Sequence, residues 1–294
     1  MQFLKEFRLP SQRQEDDVIL DDIRLDMQCY SDNVYPFKIF PFKGLSHVTF
    51  APITMFYGGN GSGKSTLLNV IAEKLRLQRG APFNKTPFYG DYVARCQADT
   101  VDDIQSNGRI ITSDDVFDYL LDRRAKNSGV EKRREELFEE YRIYKGASSP
   151  RFNMRSLDDL DELKERNEAR HSTRSAYVSR RLNNEVRGKS NGESAFEYFT
   201  SMIKENSLYL LDEPENSLSA RLQCELADFI EQSARFYGCQ FVISTHSPFL
   251  LAMRGVKIYD LDSVPVRERR WTELENIRTY FEFFEAHRES FYGE

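Results

Sequence analysis

Cysteine is scarce and scattered in this chain. Cys29, Cys96, Cys224 and Cys239 lie far apart, and none forms a C-x-x-C pair. That spacing excludes a zinc knuckle and a thiol redox motif, and it fits reduced thiols in a cytosolic protein. Long apolar runs are missing as well. No stretch approaches the ~18 apolar residues that a membrane helix needs, so membrane insertion is not expected and work at a membrane would require a partner. The opening Met1-Gln2-Phe3-Leu4-Lys5-Glu6 has no apolar core of signal-peptide length. Nor is there an excess of positive charge: 41 basic against 47 acidic residues leave a formal net charge of -6. A globally acidic chain does not advertise nucleic-acid binding, although a local basic patch is enough for it. There is no internal repeat and no low-complexity segment.

What is present suffices for a full core. The chain has 294 residues, 40% of them hydrophobic and 30% charged. That length allows one large α/β domain or two small ones, and the high charge suggests long solvated helices. Residues 1–60 read as strand-rich, with Val48-Thr49-Phe50 and Ile53-Thr54-Met55-Phe56-Tyr57 as short β-branched and aromatic runs split by Pro52. A helical pattern follows from Ser65 to about Leu77, with Leu67, Leu68, Ile71, Ala72 and Leu75 on one face, stopped by Gly80, Pro82 and Pro87. From about 114 to 187 charges of both signs crowd together, which reads as a helical insert within a single domain spanning 1–294. The insert is too interrupted for a long coiled coil. Strand patterns resume at Leu208-Tyr209-Leu210-Leu211, Phe241-Val242-Ile243 and Val256-Lys257-Ile258-Tyr259, with a helix predicted from about Ser219 to Tyr237. Strands alternating with helices imply a mostly parallel sheet. The aromatic tail from Trp271 to Glu294 is expected to be helical and to pack back on the domain.

Gly58-Gly59-Asn60-Gly61-Ser62-Gly63-Lys64-Ser65 fits the Walker A pattern of a phosphate-binding loop. Glycines let the backbone curl so that successive N–H groups face phosphates, and the following helix aims its positive end at them. Gly58 to Thr66 would line the nucleotide, Lys64 would reach the β- and γ-phosphates, and Ser65 would hold Mg²⁺. With glycine at ~7% of residues, a chance match in a chain this long is on the order of one in a hundred. This one also falls between a predicted strand and a predicted helix. Leu208-Tyr209-Leu210-Leu211-Asp212-Glu213 resembles a Walker B strand, which delivers its terminal acids to the γ-phosphate side. Asp212 would bind Mg²⁺ through water, and Glu213 would orient or deprotonate the attacking water. Pro214-Glu215-Asn216-Ser217-Leu218-Ser219 then leads into a helix, with Ser219 or Ser217 as N-cap. Ser244-Thr245-His246-Ser247-Pro248 follows the next strand and brings His246 toward the γ-phosphate.

These three motifs, in this order, resemble the soluble ABC-type ATPases, a branch holding the SMC, zinc-hook and RecF-like proteins. The chain looks most similar to the small bacterial "predicted AAA family ATPases", whose antiparallel strands leading into the core are matched by Tyr35-Pro36-Phe37 and Val48-Thr49-Phe50. The resemblance covers roughly 36–90 and 187–259. It implies a P-loop α/β fold, ATP and Mg²⁺ as ligands, ATP hydrolysis, and a homodimer that sandwiches two nucleotides. Lys189-Ser190-Asn191-Gly192-Glu193-Ser194 resembles the signature motif that closes over the nucleotide of a second subunit, so Ser190, Asn191, Gly192 and Glu193 would complete the partner's site. Ser217 would be the contact between subunits, and His246 a switch histidine. A coupling glutamine is not assigned: Gln97 and Gln105 lie in the right region, whereas 110–115 has none. Arg8, Arg13 and Phe42 lie where adenine contacts are made in this class.

The output is less legible. Arg170, Arg174, Arg180, Arg181, Arg187 and Lys189 stand against one acid, Glu185. One reading is a DNA or RNA groove formed when subunits close, serving repair or antiphage defence. The plainer reading pairs these cations with acids of the insert or with the nucleotide across the dimer. In its favour are the acidic chain and the lack of interleaved aromatic residues beyond Tyr177. Two other outputs are a regulatory ATPase controlling a partner effector, such as a nuclease or toxin, and a transporter's nucleotide-binding subunit. The Ser-x-Gly-Glu signature and the Glu215-Asn216 pair argue against the transporter.

Overall fold

The computed structural model describes residues 2–19, 34–101, 108–145, 169, 178 and 190–292. The chain divides into two compact units, Met1–Phe117 with Asn191–Glu294, and Asp118–Ser190.

The first unit is built on two sheets. β1 (Leu4–Arg8) pairs antiparallel with β2 (His47–Thr49) and with β4 (Gln97–Thr100). The larger sheet holds β3 (Ile53–Tyr57), β5 (Arg109–Ile111), β6 (Leu208–Asp212), β7 (Gln240–Thr245) and β8 (Lys257–Asp260), all parallel. Its order is β5-β6-β7-β3-β8, with β9 (Arg267–Glu268) antiparallel outside β8. Every residue of β3 and of β7 is buried, as a strand covered on both faces requires, which accounts for the apolar runs Met55-Phe56-Tyr57 and Phe241-Val242-Ile243 within them. The register aligns Asp212 with Ser244, Tyr57 with Thr245, and Tyr57 with Asp260. The carboxyl ends of four neighbouring strands therefore finish at one sheet edge, where open α/β sheets bind ligands.

The helices are, in chain order, α1 (Gln12–Val18), α2 (Lys64–Lys74), α3 (Tyr89–Arg95), α4 (Ser113–Lys145), most of which belongs to the second unit, α5 (Asn191–Met202), α6 (Ala220–Phe236), α7 (Pro248–Leu251), α8 (Glu275–Ala286) and α9 (Glu289–Tyr292). From α2, Leu67, Leu68 and Ile71 are fully buried, in one cluster with Phe56, Leu208, Leu210 and Val242 of the sheet. That stripe recurs at helical spacing, and its burial fixes the helix beneath the phosphate loop. α2 ends at Lys74, short of the expected Leu77. Of the two serines considered as N-cap, it is Ser219 that accepts the Leu222 N–H and starts α6.

In the second unit, Leu137 and Tyr141 of α4 form a small cluster with Ala169 and Val178. The surface of α4 carries local ion pairs such as Arg133–Glu136 and Arg142–Glu139. These are exposed pairs, each contributing a few tenths of a kcal/mol.

Three expectations are corrected. Tyr35-Pro36-Phe37 is a turn rather than a strand; Pro36 has no N–H to give to a ladder. A helix, α1, interrupts the strand-rich opening. Its capping box was visible in Ser11 and Gln14, whose side chains satisfy each other's backbone N–H. The aromatic tail is helical but packs back at its start alone: Leu274 and Ile277 are buried and the Asn276 N–H donates to the Tyr57 hydroxyl at 3.1 Å, while Tyr280, Phe281, Phe283 and Phe284 are exposed. Ile277, Tyr280, Phe281 and Phe284 recur at helical spacing on one face of α8, and along that face Ile277 is buried while the aromatic residues of the later turns stay exposed.

α1 also places a carboxyl in the interior. Glu15 is 1% exposed, and its Oε2 accepts the Lys38 N–H at 2.6 Å. Burial pushes its pKa up to about 7 and Asp16 adds to the rise, while the Lys38 N–H bond and the nearby Tyr92 hydroxyl oppose it. The folded protein then holds a proton that the unfolded chain, at 4.5, has released. Stability contributed by protonated Glu15 is full below pH 4.5 and is lost as pH rises to about 7, at about 1.4 kcal/mol per pH unit. Urea unfolding across that window should show a shallower decline in Glu15→Gln than in the native protein; parallel slopes would contradict this.

Candidate active site

The phosphate loop follows β3 directly. Gly63, at a φ of 93°, is the N-cap of α2, a conformation that costs glycine little. Gly58 is required by close approach: a Cβ there would stand 2.6 Å from Ser62 Oγ. Asn60 and Gly61 are exposed on the loop. Lys64 is 4% exposed, and its Nζ donates to the Gly58 carbonyl at 2.6 Å and to the Gly59 carbonyl at 3.0 Å. It also lies 3.5 Å from Glu213 Oε1. Thr66 Oγ1 accepts a hydrogen bond from the Tyr35 hydroxyl at 3.1 Å, which ties the turn that holds Tyr35 to the start of α2. Ser62 Oγ is buried without a hydrogen-bond partner among the described residues.

The end of β6 faces this loop. Ser65 Oγ donates to Asp212 Oδ1 at 3.0 Å, and Ser244 Oγ donates to the same oxygen. Burial lifts the Asp212 carboxyl above the usual aspartate value, Glu213 adds to the rise, and the two serine bonds and Lys64 pull it down. Glu213 sits in the left-handed region with a φ of 48°. Its N–H donates to the Ser244 carbonyl at 3.0 Å, and its Oε2 accepts from Asn216 Nδ2 at 3.1 Å. Lys64, Ser65, Asp212 and Glu213 are thus brought together from positions 147 residues apart.

His246 is anchored by a residue that the sequence left without a role. Glu215 is buried, and its Oε1 accepts from Thr245 Oγ1 at 2.6 Å and from the His246 N–H at 2.8 Å. The His246 Nδ1 lies 3.5 Å from the same oxygen, with the ring side chain 43% exposed. Ser244 and Glu215 both belonged to quoted motifs, but only the strand register shows which partner each meets. Further along, Gly192 packs against the loop after β6: a Cβ on it would lie 3.0 Å from Leu222 Cδ1 and 3.1 Å from the Ser217 carbonyl. Ser217 is exposed and holds a φ of 72°. Gly192 and Ser217 therefore form a second patch. Ser190 precedes α5, and Asn191 and Glu193 lie in its first turn.

Of the coupling candidates, Gln97 lies on β4 in the small sheet, and Gln105 lies outside the described residues. The strand beside β6 is β5, and it ends in Ile111 followed by Thr112 and Ser113, without a glutamine. Of the adenine candidates, Arg8 pairs with Glu6 on β1 and Phe42 is 74% exposed.

A glycine-rich loop between a buried parallel strand and a helix, with a lysine and serine meeting an acidic strand end, defines a P-loop ATPase. A family profile described as "ABC transporter" matches residues 47–216, more than half of the sequence, and the chain belongs to that family. It binds and hydrolyses ATP. A second profile, "AAA domain, putative AbiEii toxin, Type IV TA system", matches residues 184–252. No curated protein matches the chain. Among solved structures, it is similar to a putative metal-chelate type ABC transporter in an inward-facing conformation, at 13% identity over 95% of this chain and 88% of that one, with a TM-score of 0.42. It is also similar to the Smc head domain with an extended coiled coil bound to the C-terminal domain of ScpA from Pyrococcus furiosus, at 12% identity over 98% and 100%, with a TM-score of 0.41. An ATP-binding cassette, solved as a dimer in a post-hydrolysis state with ADP and Pi, matches at 15% identity over 76% and 88%, with a TM-score of 0.36.

Among the described residues no helix is long and apolar enough to cross a membrane.

Proposed function

We propose that ATP closes two copies of this chain on each other, and that hydrolysis reopens them to gate a nucleic-acid transaction in repair or antiphage defence. The observation that carries the dimer is the Gly192–Ser217 patch. It joins the signature-like segment to the loop that follows Glu213, so a partner resting on one meets the other. In this reading Ser190, Asn191, Gly192 and Glu193 reach the γ-phosphate held by the second copy.

Within each copy, Gly58 to Thr66 cradle the phosphates, Lys64 neutralises the β- and γ-phosphates, and Glu213 takes the proton of the attacking water. His246, held by Glu215, donates to the γ-phosphate. Ser65 and Asp212 would hold Mg²⁺. The fit is supported by two hard oxygen donors meeting at 3.0 Å and by a buried carboxylate whose desolvation a cation would offset. Magnesium is held by few carboxylates together with substrate phosphates, and when bound it supplies charge neutralisation at the phosphates.

The arginine-rich stretch from Arg170 to Lys189 supports the nucleic-acid output; it falls outside the described residues apart from Val178. The test is phosphate release with and without short DNA and RNA at several salt concentrations. Stimulation and binding should both fall steeply with salt. Turnover indifferent to nucleic acid would contradict this output. A second reading, an ATPase that holds and releases an effector protein such as a nuclease or toxin, is supported by the toxin-system profile over 184–252 and by the exposed aromatic residues of α8. It predicts slow turnover without nucleic-acid stimulation, and co-purification of a partner protein.

A further inference from the structure

One side chain outside every recognised motif touches the phosphate loop. Asp262 lies on the hairpin between β8 and β9, and its Oδ2 accepts the Gly59 N–H at 2.7 Å. Its Oδ1 lies 3.1 Å from the place a Cβ on Gly58 would take. At the other end of that same peptide unit, the Gly58 carbonyl accepts the Lys64 ammonium at 2.6 Å. One peptide plane is therefore held at both ends, by a cation at its oxygen and a carboxylate at its nitrogen.

Asp262 is itself firmly placed. Its N–H donates to Asp260 Oδ1 at 3.0 Å, and Asp260 Oδ2 pairs with Arg269 at 3.1 Å. The hairpin is anchored from the other side by Lys43, whose Nζ donates to the Leu261 carbonyl at 2.7 Å and whose carbonyl accepts the Val266 N–H at 2.8 Å. A carboxylate beside an anion-binding loop is electrostatically unfavourable for the ligand, so its presence calls for a compensating role.

We propose that Asp262 is a positioning residue that fixes the Gly58–Gly59 peptide at the mouth of the nucleotide site. Lys64 cannot serve the phosphates and the Gly58 carbonyl equally. When its ammonium moves to the phosphates, the carbonyl loses its partner and Asp262 alone resists rotation of that plane. Such a loop binds through backbone N–H groups in a fixed curl, and a peptide free to rotate must be ordered at the moment of binding, which weakens affinity. The role belongs to the acceptor oxygen, not to the charge.

The test compares Asp262→Ala and Asp262→Asn by calorimetric titration with ATP and Mg²⁺, alongside thermal melting without nucleotide. Asp262→Ala should bind ATP about fivefold more weakly, the scale of one hydrogen bond, with little change in melting. Asp262→Asn keeps an acceptor oxygen and should restore native affinity. Native affinity in Asp262→Ala, or equal loss in both variants, would overturn the proposal. Should Asp262→Ala fail to fold, Gly59→Pro removes the donor instead: affinity should fall, and adding Asp262→Asn should change nothing more. Native affinity in Gly59→Pro, or a further loss in the double variant, overturns it. The proposal rests on ATP binding alone, so no outcome depends on the nucleic-acid or effector readings.

Discussion

Lys64→Ala is expected to reduce ATP turnover by on the order of 10²–10³-fold or more while leaving the fold intact. The ammonium is buried between two carbonyls and the Glu213 carboxylate. Phosphoryl transfer asks little covalent chemistry of the protein and relies on positioning and charge neutralisation. Among the described residues no other lysine or arginine bonds within this cluster, so alanine removes the side-chain cation that neutralises the phosphates. The fold should survive because the stripe that seats α2, Leu67, Leu68 and Ile71, points the other way into the core. Phosphate release and circular dichroism check both halves. Turnover near the native rate would contradict the role given to Lys64.

Glu213→Gln is expected to bind ATP and to lose about 10²–10⁴-fold in turnover, the usual contribution of a positioned general base. The side chain is well placed for that role. Its backbone is locked by two bonds to Ser244, Asn216 fixes one carboxylate oxygen at 3.1 Å, and the other lies near Lys64. At 24% exposure it remains reachable by water. Glutamine has the same shape and an acceptor oxygen but no basicity, so binding should persist while chemistry stops. Single-turnover measurements with ATP and Mg²⁺ separate the two steps. Full-rate hydrolysis would remove Glu213 from the mechanism.

Much of this site was legible because it is local. Strand, glycine-rich turn and helix follow one another between Ile53 and Lys74, and the chemistry of Lys64 and Ser65 is carried by spacing within the loop. Asp212 and Glu213 were legible as acids ending a buried run. What sequence could not supply was adjacency. β6 lies beside β7, which sets Ser244 on Asp212, and β3 lies beside β8, about two hundred residues further along the chain, which brings Asp262 to Gly59. Glu215 is a similar case: nothing local distinguishes a carboxylate that anchors Thr245 and His246 from a solvated one. The tail failed for another reason. Aromatic content was taken to mean burial, but Tyr280, Phe281 and Phe284 continue the stripe of Ile277 beyond the point where α8 meets the domain, and a stripe's spacing does not say what covers it. Tyr35-Pro36-Phe37 reads as a strand on the family resemblance, and it forms a turn in which Pro36 has no N–H to give to a ladder.

The most direct test of the account is the mass of Glu213→Gln in solution. Size exclusion with light scattering, run with and without ATP and Mg²⁺, should show a monomer that becomes a dimer when nucleotide is added, and the shift should vanish when Gly192→Trp obstructs the Gly192–Ser217 patch. A folded, ATP-loaded Glu213→Gln whose mass stays that of a monomer would contradict the shared site.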